Sequence, residues 1–225
     1  MNQIPNNHHR PFDSAQGRRS IRLKGYDYTQ PGAYFITICA HQRVHVFGEI
    51  VDGVMRLNRW DEIARAEWFK TAELRPNVEL HEEEFVVMPN HIHGIIWLIE
   101  NVGALRRNAK FENKISSQQQ AEQRSAPTVK AGSLGAIIRA CKSAVTYAIN
   151  KLENSRSAVV WQRNYYERVI RNERELDVIT RYIDYNPDAW QFDRDNPDNI
   201  RGLNPPESAD DYLKDAEEMI GMKSR

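Results

Sequence analysis

His91 and His93 stand one residue apart in residues 81–100, HEEEFVVMPNHIHGIIWLIE. On an extended strand successive side chains alternate between faces, so both imidazoles project from one face while Ile92 and Gly94 project from the other. Two imidazoles side by side on one rigid strand make a ready pair of metal ligands. Taken singly, a strand histidine is more often a satisfied core or surface residue. Here apolar side chains follow on both faces as far as Ile99, which predicts a central strand covered on both sides. A polar pair in such a place is costly without a partner, and that tilts the reading toward a site.

A second chemical group lies in residues 172–186, NERELDVITRYIDYN. Leu176, Ile179 and Ile183 recur at three and four, with Asn172 as cap and Glu175 three residues on, so the stretch predicts an amphipathic helix. Pro187 predicts that this helix stops at Asn186. At about 100° per residue, Tyr182 and Asn186 lie one above the other at the edge of the buried stripe, and Tyr185 is turned about 100° from Asn186. Alone, Tyr182 reads as a half-buried aromatic closing the core. Beside the histidines it reads otherwise. His91, His93 and an amide or carboxylate oxygen give a divalent cation three protein ligands and leave positions for substrate oxygens. A phenol one turn before the oxygen ligand is then a nucleophile for phosphorus. With a reference pKa near 10 it needs a polarised phosphate to attack. Phenolate also leaves more readily than an alkoxide, so the covalent link can be undone.

The elements that hold these groups follow from periodicity. Residues 33–40, AYFITICA, form a strand after the Gln30-Pro31-Gly32 turn signal, and residues 45–51 pair with 54–57 across Asp52-Gly53. From 58 to 74 the period changes, with Trp60, Ile63, Ala64, Trp68 and Ala72 on one helical stripe. Residues 78–80 lead into a hairpin whose strands, 85–87 and 95–99, flank the Met88-Pro89-Asn90 break. Residues 133–152 predict a helix capped by Ser133, with Leu134, Ile137, Ile138, Cys141, Val145 and Ile149 on its apolar stripe. A strand at 158–161 and an extended piece at 165–170 precede the tyrosine helix.

Composition narrows the class. The 225 residues carry 31 basic and 31 acidic side chains, so any basic binding surface is local. Cys39 and Cys141 sit in apolar stretches and read as buried free thiols in a reducing compartment. Residues 1–20 have no apolar core, which argues against a signal peptide, and no run of eighteen apolar residues occurs. The expected location is cytoplasmic, with no membrane partner. Residues 1–20 read as a disordered arm ending in a basic cluster, Arg18, Arg19, Arg22 and Lys24. Residues 101–130 read as a flexible, low-complexity insertion with a basic excess, and 196–225 as an acidic tail with a short helix capped by Ser208. Arg139 and Lys142 lie off the apolar stripe of their helix. They read either as a solvated face or, with the basic insertion before them, as phosphate contacts.

The blocks Met88-Pro89-Asn90-His91-Ile92-His93-Gly94-Ile95-Ile96-Trp97, then residues 161–172, WQRNYYERVIRN, then Tyr182-Ile183-Asp184-Tyr185-Asn186-Pro187 resemble the REP-associated tyrosine transposases, single-tyrosine members of the HUH superfamily. The opening residues 19–28 and the strand at 33–40 also resemble that family's start, so the likeness spans roughly residues 18–195. It implies a catalytic domain over 21–195 of α+β class: a ferredoxin-like antiparallel sheet with helices on one face and the tyrosine-bearing helix on the other. It implies that Tyr182 attacks a phosphodiester of single-stranded DNA, giving a 5′-phosphotyrosine link and a free 3′-hydroxyl. Mg²⁺ or Mn²⁺ would be held by His91, His93 and Asn186, the last standing where many relatives carry Gln. It implies a hairpin DNA partner, contacted through the basic arm and through Arg139 and Lys142, and a monomer or homodimer. The main alternative is a transposase-derived protein that binds hairpin DNA as a regulator without cutting. A histidine-triad hydrolase is disfavoured because position 95 is Ile. An RNA-binding sheet displaying Phe85 and Trp97 would leave the histidine pair unexplained.

Overall fold

The computed structural model describes residues 25–52, 54–100, 130, 132–155, 157–193 and 196. The basic arm with Arg18, Arg19, Arg22 and Lys24, the insertion up to residue 129 and the tail from residue 197 lie outside the described residues.

Among the described residues three α-helices and seven strands follow in the order β1 (Gly32–Cys39), β2 (Gly48–Val51), β3 (Val54–Leu57), α1 (Arg59–Leu74), β4 (Val78–Glu79), β5 (Phe85–Met88), β6 (His91–Leu98), α2 (Leu134–Leu152), β7 (Tyr166–Ile170) and α3 (Glu173–Ala189). β2 and β3 form a separate hairpin. In the main sheet β6 lies between β1 and the broken edge made by β4 and β5, and β7 pairs with the far side of β1, all antiparallel. The two crossovers run through α1 and α2, giving the ferredoxin-like β-α-β-β-α-β arrangement.

The strand period assigns the two faces. Tyr34, Ile36, Ile38, Ile92 and Ile96 point to one side and pack with Ala64 and Trp68 of α1 and Ile137, Cys141 and Val145 of α2. Ala33, Phe35 and Ile95 point to the other, under Ile179, Tyr182 and Ile183 of α3. The tyrosine helix is therefore alone among the three on the face that carries the histidines. Ile179 and Ile183 are fully buried there, each contributing about 1.5–3 kcal/mol to holding it down.

Each helix begins at a side-chain cap: Asn58 accepts from Trp60 N and Asp61 N, Ser133 from Ala136 N, and Asn172 from Glu175 N at 2.9 Å. The Glu175 carboxylate accepts from Arg171 N at 2.9 Å and pairs with Arg168 at 3.1 Å, tying the start of α3 to β7.

Three sequence expectations need correction. The tyrosine helix does not stop at Asn186 but runs to Ala189 with Pro187 inside it. Ala189 and Trp190 are buried, and their packing outweighs the backbone bond that proline cannot make. Residues 158–161 form no regular strand, only a single bridge from Trp161 to Ala40. Cys39 is half-buried at the strand end; Cys141 is buried and its thiol pushed up to about 11.

Gly94 is required by a close approach. A β-carbon there would overlap the indole of Trp68 and press on Phe85, which stacks on Trp68 at 5.0 Å. Gly94→Ala should cost about 1–3 kcal/mol through overpacking, read as a lower denaturant midpoint with unchanged slope.

Asp61 was not marked by hydrophobicity, yet it is 1% exposed and its Oδ2 has no hydrogen-bond partner among the described residues. Burial pushes its carboxyl up to about 7, against the partial opposition of Arg65. Because its folded pKa lies above the ordinary value near 3.9, the charged form is penalised in the folded state. That cost is absent below about pH 4, grows between about 4 and 7, and is complete above. Asp61→Asn should raise the melting temperature at pH 8 and lose the advantage at pH 4.

Candidate active site

The register of β1 with β6 sets His93 opposite Thr37 and His91 opposite Cys39. On the α3 face the two imidazoles meet, with Nε2 to Nε2 at 2.9 Å. Both are buried, at 1% and 2% exposure. Each is held from behind by its other nitrogen. His93 Nδ1 lies 2.8 Å from Thr37 Oγ1, and His91 Nδ1 lies 2.8 Å from Asn90 Oδ1.

The Asn90 contact settles a tautomer. Asn90 Nδ2 donates to the Arg43 carbonyl at 3.2 Å, which orients the amide so that its oxygen faces His91. That oxygen only accepts, so His91 Nδ1 carries the hydrogen and, in the neutral ring, Nε2 carries a lone pair. The Thr37 hydroxyl can donate or accept. It therefore serves His93 whether the Nε2 of that ring is protonated toward His91 or presents a second lone pair.

Around the pair stand three rings. Phe35 stacks on His93 at 5.4 Å, the Tyr182 ring approaches His93 edge-on at 5.3 Å, and Trp190 lies 6.1 Å from His91. Residues 182, 186 and 190 succeed one another by one helical turn and share a face. Tyr182 meets one histidine and Trp190 the other, and Asn186, 2% exposed, stands one turn from each of them along the chain. Its Nδ2 donates to the Tyr182 carbonyl at 3.1 Å. Tyr185 is 46% exposed, while Tyr182 is 8% exposed.

The donor set fits a divalent cation. Ligands at about 2.0–2.1 Å in neighbouring octahedral positions stand about 2.9 Å apart, the spacing of the two Nε2 atoms. No cluster of three or more His, Cys, Asp and Glu occurs among the described residues.

The other candidates are placed elsewhere. Arg139 and Lys142 are on α2, across the sheet from the histidines. Arg139 is exposed, whereas the Lys142 ammonium donates to the carbonyls of Gln162 at 2.6 Å and Arg163 at 3.2 Å, and burial lowers its pKa. Phe85 is buried under Trp68 and Trp97 donates to Glu84 at 2.7 Å, so they do not form a shared exposed platform.

Sequence reasoning missed Thr37, Asn90, Phe35 and Trp190. Asn90 was visible as the neighbour of His91, but Thr37 and Phe35 become partners only once the strand register is known.

No family model matches the chain. A Haemophilus influenzae (strain Rd) protein described as uncharacterized is 38% identical over 177 residues, which is 79% of this chain and 92% of that one. The chain belongs to that protein's family. Among solved structures, a REP-associated tyrosine transposase bound to a REP hairpin aligns at TM-score 0.48 and 18% identity, over 77% of this chain and 74% of that chain. The hairpin is a ligand of that protein, and the sheet order and site geometry given above are read from this chain alone.

Thr37→Val keeps the shape of the side chain and removes the hydroxyl behind His93. It should weaken Mn²⁺ binding about 10- to 100-fold by calorimetry with the circular dichroism spectrum unchanged, while Thr37→Ser should bind nearly as the native chain does.

Proposed function

We propose that this chain is a metal-dependent nuclease and strand transferase of the transposase type, acting on single-stranded DNA beside a hairpin. The observation that carries the reading is the meeting of Tyr182, on a late helix, with the His91–His93 pair on a central strand, with Asn186 one turn further on. The likeness of the three sequence blocks to the REP-associated tyrosine transposases supports it.

In this reading His91, His93 and Asn186 hold Mg²⁺ or Mn²⁺. When bound, the cation polarises the phosphate and offsets the charge that develops in its displacement. Imidazole donors suit Mn²⁺ better than Mg²⁺. A donor set without carboxylates leaves the cation's charge uncompensated by the protein, which favours an anionic substrate such as a phosphodiester.

Tyr182 supplies the nucleophile. Its phenolic oxygen bonds to phosphorus and gives up its proton, and the bond from phosphorus to the 3′ oxygen breaks. That oxygen leaves as a hydroxyl once protonated, and the 5′ phosphate remains on the tyrosine. Reversal by an incoming 3′-hydroxyl rejoins the strand. Phe35 and the α3 backbone orient the phenol against His93, and Thr37 and Asn90 keep the imidazoles turned toward it. Trp190 and Tyr182 also exclude water, so entry of a phosphodiester requires the end of α3 to shift.

Purified protein with Mn²⁺ should nick a single-stranded hairpin oligonucleotide and remain attached to one fragment, seen as a band of raised mass in a denaturing gel. Tyr182→Phe should abolish attachment while leaving hairpin binding within about twofold, since only the phenolic oxygen is lost. Equal attachment by that variant would move the nucleophile to Tyr185 or refute the mechanism. A native chain that binds the hairpin and never cuts it would identify the non-cleaving regulator instead.

A further inference from the structure

The sheet edge formed by β7 is irregular. Thr37 of β1 pairs with Tyr166, yet Ala40, three residues on, bridges Trp161, so the edge chain has two residues more than its partner over the same span. Those extra residues form a bulge, a device that bends a strand and re-aims its side chains. It is pinned from two sides. Gln162 N donates to the Cys39 carbonyl at 2.9 Å, and Lys142 reaches across from α2 to the carbonyls of Gln162 and Arg163. Cys39 is in turn the register partner of His91, so the bulge begins two chains from the candidate metal ligands.

Between the bulge and the outer flank of α2 runs a groove of about 560 Å³, with Lys142, Thr146, Tyr147, Asn150, Val159 and Arg163 on its walls and no carboxylate among its lining residues. Tyr147 and Val159 are 71% and 65% exposed, unusual for large apolar side chains side by side. Arg163 and Asn164 are exposed.

We propose that this groove is the track for the unpaired DNA strand flanking the hairpin, with Tyr147 stacking on a base and Arg163 contacting a backbone phosphate. The proposal rests on the nuclease reading for the identity of the strand. The groove's own features point the same way. Cations, hydroxyls and an amide without acidic side chains suit a phosphate backbone, and an exposed aromatic ring suits a base freed from its stack. Lys142 acts here by fixing the bulge that presents Arg163.

The test is fluorescence anisotropy of the full-length protein in EDTA, using a labelled DNA hairpin with a mixed-sequence single-stranded flank and a second hairpin without one, over a series of salt concentrations. Tyr147→Ala should bind the flanked hairpin about tenfold more weakly and the blunt one as the native chain does. Arg163→Ala should lower the salt slope by about one, and Arg163→Lys should restore it. Flanked-hairpin binding by Tyr147→Ala and Arg163→Ala equal to that of the native chain overturns the proposal. So does a Tyr147→Ala variant that converts a dimer to a monomer by light scattering at unchanged DNA affinity, which would make the groove a subunit interface. Native protein that shows these effects but never nicks with Mn²⁺ upholds the groove and sinks the nuclease reading, and native protein that binds neither hairpin sinks both.

Discussion

Two imidazole nitrogens 2.9 Å apart, buried beneath a helix, impose a condition that the surrounding structure is arranged to meet. Asn90 gives one of them a lone pair directed at the other. Without a shared proton or cation between them, two such lone pairs repel, and burial removes the water that would relieve the repulsion. The amphoteric Thr37 hydroxyl lets the second ring answer in either way. The pair is therefore held as a hydrogen bond.

That condition reaches far along the chain. The register of β1 on β6 brings Thr37 to His93, and the same register sends Ile36, Ile38 and Ile92 to the opposite face, where α1 and α2 bury them. A slip of one residue would exchange the two sets and place hydrocarbon where the site now stands. Trp68 over Gly94 locks the register from the far side. Core packing and site geometry are thus one constraint seen from two faces of β6.

Much of this was legible in the sequence. Alternation around His91 and His93 gave their shared face, the apolar run to Ile99 gave a central strand, and the three- and four-residue spacing around Ile179 gave the helix, with Tyr182 at the edge of its buried stripe and Tyr185 turned away from Asn186. What escaped were relations between distant segments: Thr37 behind His93, Phe35 stacked on it, and Trp190 against His91 depend on register and on where a helix ends. Local rules failed where tertiary packing overrode them. Proline chemistry ended α3 too early because burial of Ala189 and Trp190 carries it onward.

Pro187 has one more consequence. It has no N–H to offer the Ile183 carbonyl, so the turn bearing Trp190 is joined to the rest of α3 by one hydrogen bond fewer than its neighbours. That turn is also the cover over His91. The missing backbone bond thus falls one turn before the indole that stands beside His91, between it and the turn that carries Tyr182.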